Sequence, residues 1–520
     1  TIVDFVSSSA MTHEVLMQLE VSNLCGECIL KLPVAGSMLG RDLWKLILDK
    51  VPSKPGLQLV VSYNTARLAL NETLDQQGLG GERPNVSATY VPINLLSAWL
   101  FAQGQTVVDE EFSLIGITKV TGVSDQTPAL LQNLPNSLRD LSFAENFNQS
   151  LDNVRWPAGL QSLTLGGDFD QSLDNVSWPA GLQSLTLGGE FNHSLDNVSW
   201  PAGLQSLTLE GEFDQSLDNV SWPARLQSLA FGDNFNQNLD NVSWPAGLQS
   251  LAFGDNFNQN LDNVRWPAGL QCLACGRHFN QSLHNLSWPE RLESLTFGYY
   301  FNQSLDNALW PVGLQSLTFG DCFDQRLDAV SWPTELQSLT FGENFKQNLR
   351  NVSWPASLRE LAFRGDDGGR FNQSLDNVTL PAGLKSLDIA TDFNHSLDNV
   401  SWPAGLESLT IAGEFNRSLD NVSWPAGLQS LTLGGAFDQS LDNASWPARL
   451  QSLSLEGDFN QSLDNASWPA DLQSLTFVGM FNQALDKVSW PAGLQSLDLG
   501  ESFNQALDKV SWPAGLQSLD

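Results

Sequence analysis

A chain of 520 residues with 42% apolar content is too long for one compact core, so more than one folding unit is expected. Its 58 acidic against 25 basic residues leave a net charge of −33, which opposes binding to nucleic acid or anionic membranes and favours neutral or basic protein partners. No apolar run has the length of a membrane span, no basic-then-apolar segment opens the chain, and five Cys are too few for a disulfide framework; a cytoplasmic or nuclear protein is expected.

Residues 1–13 read as a leader. From 14 to 92 the pattern predicts strands over 15–21 and 28–34 around a turn at 23–27. Over 41–51, Leu43, Trp44, Leu46, Ile47, Leu48 and Val51 fall at helical spacing. Strands follow over 57–63, 68–70 and 86–91, with a turn at 73–78. This order, together with Thr73-Leu74-Asp75 leading to Gly78, resembles the ubiquitin-like β-grasp, an α+β fold. Leu79-Gly80-Gly81 precedes the last strand, so cleavage there would remove that strand from its sheet. The segment therefore resembles a built-in module rather than a conjugated modifier, and the resemblance implies docking to ubiquitin-system or proteasome components. Residues 93–128 read as a linker and N-terminal cap, with 107–120 expected to cover the first open edge of the array that follows.

From 129 to 520 one unit repeats. Phe recurs every 22 residues from Phe147 to Phe345, and again from Phe371 to Phe503, with a single four-residue insertion between the two series. About seventeen turns are visible, and the last is expected to be truncated at Asp520. One unit runs from Leu182 to Gly203. Within it, Ser184 to Leu187 alternates polar and apolar, the pattern of a half-buried strand with Leu185 and Leu187 inward. Phe191, Leu195, Val198 and Trp200 are expected to fill the rest of the coil, and Pro201 to close it before the next strand. No helix-length periodicity fits between strands, so the return side should consist of turns. A single unit cannot bury its apolar side; stacking builds one continuous core, a leucine-rich-type parallel β-solenoid of 22-residue repeats. The stretch Leu248-Gln-Ser-Leu251-Ala-Phe253-Gly254-Asp-Asn-Phe257-Asn258-Gln259 resembles the FNIP-repeat branch of leucine-rich proteins, and the resemblance covers roughly 134–520. Members of that branch are often coupled to ubiquitin ligases through an F-box; no F-box pattern is present in this sequence.

The polar columns read first as structure. Asn or Asp follows nearly every repeat Phe, and an Asp-Asn pair recurs at Asp174, Asp196 and Asp218. Short polar side chains at such turns satisfy backbone N–H groups of the next coil. Stacked carboxylates binding divalent cations are the rival reading; His284 and Arg350 interrupt that column. The recurring Asn-x-Ser sequons, as at Asn175, Asn197 and Asn241, read as a by-product of repetition. Cys272 and Cys275 fall on opposite strand faces, and Cys25 and Cys28 span a hairpin turn; neither pair is expected to hold a metal. The five His residues are scattered, and no nucleophile elbow or phosphate-cradling loop is present, so neither catalysis nor a cofactor is expected.

Function should lie where the repeat departs from itself. Between Cys272 and Arg370 the acidic pattern gives way to basic and aromatic residues. Arg277, Tyr299, Tyr300 and Asp321 lie just past successive strands and should stack along one rim. Arg and aromatic side chains are the types that most often carry interface energy. With His278, Arg326, Arg364 and Arg370 they form the expected protein-binding set. The function expected is a non-enzymatic scaffold or adaptor. The solenoid would hold a target while the ubiquitin-like module docks ubiquitin or proteasome machinery. One alternative is a structural rod whose outward Ser and Thr array matches ice or a glycan. Another is the recognition part of a larger ubiquitin ligase.

Overall fold

The computed structural model describes the segments 2–7, 16–22, 28–35, 57–63, 66–67, 85–92 and 119–123, together with residues 134, 136–364 and 369–520. The chain divides into two units. One comprises Thr1–Phe169 with Trp178–Leu182; the other comprises Asp170–Ser177 with Gln183–Asp520. Among the described residues no helix is long and apolar enough to cross a membrane.

The first unit holds a six-stranded sheet of β1 (Ile2–Ser7), β2 (Leu16–Ser22), β3 (Cys28–Ala35), β4 (Leu57–Tyr63), β5 (Ala66–Arg67) and β6 (Asn85–Pro92). The order is β3-β2-β1-β6-β4-β5. The segment expected to be a leader thus contributes β1, which pairs antiparallel with both β2 and β6. Four of its six residues are Ile, Val or Phe, the types that fit a pleated surface. The helix expected over 41–51 lies outside the described residues, as do the turn at 73–78 and most of 93–128. Within that last stretch, β7 (Lys119–Val123) pairs in parallel with β8 (Asp140–Phe143), and β8 in turn with β9 (Ser162–Leu165).

The second unit is a run of parallel strands, one per turn, from β10 (Ser184–Leu187) to β25 (Ser518–Leu519). The register is set by the repeat itself: Ser184 faces Ser206, Leu185 faces Leu207, and each turn places like beside like. Polar strand residues are half-buried and Leu residues buried, as the alternation predicts. Leu182, Leu185, Leu187, Phe191 and Leu195 are all fully buried, and the same five places are filled in the turns that follow as far as Leu499. Each such side chain contributes roughly 1.5–3 kcal/mol by area. The Phe rings form a continuous ladder, with centroids 6.0–6.2 Å apart from Phe191 to Phe345. Where the strand also ends in Phe, as at Phe231, Phe253 and Phe297, that ring lies 3.9–4.0 Å from the ladder Phe of its own turn.

The Trp column departs from expectation. Pro201 is buried and Trp200 only half-buried, so the proline and not the indole takes the inner place. Several neighbouring pairs of indoles, such as Trp222 with Trp244 and Trp402 with Trp424, stack with centroids 6.0–6.5 Å apart. Their Nε1–H groups, from Trp156 to Trp490, are buried without a protein acceptor.

Two polar devices tie turn to turn. The side-chain oxygen of the Asn or Asp after a ladder Phe accepts the N–H of its counterpart in the next turn, and only Lys346 lacks such an oxygen. Asn258 donates in this way to Asn236 at 2.9 Å, and Asn280 to Asn258 at 2.9 Å. The Gln that follows donates Nε2–H to the same oxygen, as Gln281 does to Asn258 at 3.0 Å. This column satisfies backbone groups as expected. The Asp column does not: the N–H of Asp196 is capped by Ser194 Oγ at 3.2 Å, and most residues of the column are exposed. A hydroxyl two residues earlier reaches that N–H in a turn the Asp side chain has no need to close.

Most strand ends take one of two forms. Where Gly follows the last inward residue, as at Gly276 and Gly298, a Cβ there would run into the carbonyl of the preceding turn. Where a side chain takes that place, as at Glu210, Ala412, Glu456 and Val478, the Gly moves one residue on. Gly211, Gly413, Gly457 and Gly479 then adopt φ of 59°, 77°, 75° and 110°. Only Gly enters that region without strain.

Candidate functional site

The rim just past the strands is built from two residues per turn, and their backbone fixes the side-chain spacing. The N–H of the second rim residue donates to the carbonyl of the first in the preceding turn: His278 to Asp255 at 2.7 Å, Tyr300 to Arg277 at 2.8 Å, Cys322 to Tyr299 at 2.8 Å. Asn344 to Asp321 and Arg370 to Glu343 continue the row. Side chains of successive turns therefore stand over one another.

Four of the expected residues meet here. The Arg277 guanidinium lies 4.9 Å from the Tyr299 ring centroid and 5.8 Å from that of Tyr300. A cation over an exposed aromatic face contributes about 0.5–1 kcal/mol. Tyr299 and Tyr300 meet edge to face at 4.7 Å, and His278 lies 4.8 Å from Tyr300. Tyr300 remains 41% exposed, so the cluster presents an aromatic surface to solvent.

Asp321 stands in the next turn of the same rim and accepts the Glu343 N–H at 3.3 Å. Arg370 closes the row with an ion pair to Glu343 at 3.8 Å. Arg364 is turned toward the strand face instead, where it pairs with Asp388 at 3.0 Å. Arg326 does not belong to the rim. It sits on the far side of its ladder Phe and forms a two-point pair with Asp328 at 3.0 Å. Nearness in the chain put Arg326 with the others; its place in the 22-residue unit sets it apart.

Two participants were not among the expected residues. Cys322 follows Asp321, and Glu343 stacks on it in the next turn. Burial raises the Cys322 thiol first, followed by the charges of Asp321 and Glu343, while Arg277 pulls it down. The Tyr299 hydroxyl is raised chiefly by Cys322, with burial, Glu343, Asp321 and Tyr300 adding to the effect. A raised thiol is mostly protonated at neutral pH, which is the opposite of an activated nucleophile. The rim thus offers a cation, stacked rings and a flanking acid pair, a composition suited to binding. Cys322 was legible as a departure in its column, whereas Glu343 keeps the acidic character of its own.

The cysteine pair nearby separates as its strand dictates: Cys272 is exposed and Cys275 buried, with its thiol pushed up by burial. Among the described residues no three His, Cys, Asp or Glu side chains gather as a metal site would require. Cys25 and residues 365–368 of the insertion lie outside the described residues.

The profile of the FNIP Repeat family matches residues 147–190, 191–234, 235–267, 279–322, 323–366, 371–414 and 481–520, more than half of the chain. The chain belongs to the FNIP-repeat family. Among solved structures, this FNIP-repeat chain is similar to CroV588, described as a novel circular LRR protein structure, with TM-score 0.60 and 36% identity. The match covers 77% of this chain and 61% of that one, so the chain spans about three fifths of the length of CroV588. Looser likenesses are to YopM from Yersinia enterocolitica (TM-score 0.39, 16% identity, 78% of this chain and 84% of that one) and to the Toll–Spatzle complex of Drosophila (TM-score 0.43, 12% identity, 74% and 51%). No curated protein matches the chain. Its fold is an LRR-like repeat solenoid.

Proposed function

We propose that this FNIP-repeat chain is a non-enzymatic protein-interaction scaffold that holds its target on the rim between Arg277 and Arg370. The observation that supports this reading is the Arg277–Tyr299–Tyr300–His278 cluster, an exposed cation-and-aromatic island on an otherwise acidic rim. Aromatic and Arg side chains concentrate binding energy when a partner desolvates them. Asp321 and Glu343 beside the island, and the net charge of −33, favour partners with basic patches.

The second half of the proposal concerns the front end. Its sequence resembles a ubiquitin-like module, and on that resemblance it docks ubiquitin-system or proteasome components while the rim holds a target. A pull-down read by mass spectrometry tests both halves at once, using the intact chain, a chain starting at residue 125, and an intact R277E/Y300A variant. Rim partners should be lost with the double variant alone. Ubiquitin-system proteins should be lost with the shortened chain alone. A partner list unchanged by R277E/Y300A removes the rim; the absence of ubiquitin-system proteins from the intact bait removes the docking role.

A further inference from the structure

The return segment of the solenoid carries a second departure from the repeat, unrelated to the rim residues. The place before each other repeat Trp is Ser or Arg, and in this turn it is Leu309. The place after the following Pro is Ala in nearly every turn and Val312 here. Leu309 is 67% exposed and Val312 77%. They border an open groove of about 600 Å³ whose walls are Leu286, Trp288, Trp310, Pro311 and the carboxylate-bearing Glu290. Leu286, in the wall of the groove, stands where most turns have Val. Two aliphatic side chains held in water beside two indoles form a patch that gains from being covered.

We propose that this groove receives a short segment of another protein, one that presents an aliphatic or aromatic side chain next to a Lys or Arg. The apolar side chain covers Leu309 and Val312, and the cation faces Glu290 and the neighbouring indole rings. Charge selects this occupant over the others. Glu290 makes no ion pair among the described residues, so its carboxylate is available to a cation. A net charge of −33 repels acidic segments and equally repels a second copy of the same chain. The groove extends the scaffold reading to a separate surface and does not depend on the rim.

The test pans the full chain against a random-peptide phage library, then measures synthetic versions of the recovered peptides by calorimetry. Three variants accompany it. L309S/V312A restores the residues that other turns carry, so its fold is supported by the repeat itself. E290Q removes only the charge. M480S removes an exposed apolar side chain elsewhere and reports general stickiness. Recovered peptides should join an apolar residue to Lys or Arg. Their affinity should fall about tenfold or more with L309S/V312A, weaken and lose salt dependence with E290Q, and stay unchanged with M480S. Recovery of no peptides, recovery of acidic ones, or equal affinity for L309S/V312A overturns the proposal. So does sedimentation showing that the native chain self-associates and L309S/V312A does not, since the occupant would then be a second copy.

Discussion

Asn280 links three turns through one side chain and one amide. Its N–H is held by Asn258 Oδ1 at 2.9 Å, and its own Oδ1 accepts the Asn302 N–H at 2.9 Å and Gln303 Nε2–H at 3.0 Å. Removing that oxygen in N280A leaves the half-buried Asn302 N–H unpaired, while Gln303 Nε2–H keeps its bond to the Asn280 carbonyl at 3.0 Å, at a cost of about 1–2 kcal/mol. N280D keeps the acceptor, as Asp214 and Asp324 do natively, and should lose far less. Urea denaturation, with hydrogen exchange at the Asn302 amide, checks both. At Cys322 the relevant quantity is charge. The thiolate is the form that alkylates, so a raised thiol labels slowly near neutral pH and faster as pH rises. D321N removes one of the raising charges, lowers the Cys322 pKa and should speed labelling at fixed pH. Cys275, buried and also raised, should stay unlabelled while the chain is folded. Iodoacetamide pulses over about pH 7 to 10, read by peptide mass spectrometry, separate these cases; an unchanged rate in D321N would show that Asp321 does not act on the thiol.

Turns are the element that decides where substitutions are tolerated. Gly457 has φ of 75°, and a Cβ there would meet the Gly435 carbonyl. G457A should therefore destabilise by at least about 1–2 kcal/mol, the strain of an L-residue in the left-handed region. Gly493 ends the return segment of its turn, and a Cβ there would lie 3.4 Å and 3.5 Å from the carbonyls of Ala470 and Leu472, an ordinary contact. G493A should be neutral or stabilise by up to about 0.4–1 kcal/mol through the unfolded chain. Thermal denaturation of the two variants side by side tests whether φ, rather than glycine as such, is what these turns require. The strands were legible in the sequence because Leu alternation and a fixed 22-residue step leave one register that buries every Leu. The Trp column was not, because period alone counts an indole as apolar and does not say that the neighbouring Pro takes the inner place. The Asp column misled for a related reason: Asp and Ser both close turns, and the pattern holds one of each two residues apart. Arg326 and Val312 show the limit at the sites. Both stand in a turn that breaks the repeat or beside one, but only their column says which surface they reach.

Across the whole molecule, like charges stack at the spacing of adjacent strands, about 4.8 Å. The Asp column places carboxylates turn upon turn with few bases between them, and the chain as a whole carries −33. At about 0.01 M salt such charges act over about 30 Å, and at about 0.1 M over about 10 Å. Raising NaCl across that range should therefore raise the melting temperature, since it relieves repulsion that folding concentrates. Calorimetry at several salt concentrations measures the effect; a flat response would mean that the carboxylates are neutralised by partners within the fold. The same screening should weaken any basic partner on the rim, so stability and binding should respond to salt with opposite sign.

The half-buried Trp column has a further consequence, one for light. Indoles 6.0–6.5 Å apart and nearly parallel are close enough to pass excitation from one to the next. A photon absorbed by one ring need not be emitted by that ring, so fluorescence polarisation decays even though the rings themselves do not turn. The protein's own colour in the ultraviolet thus reports the runs of stacked indoles, which Leu380 already interrupts, and a further break would be seen as polarisation regained.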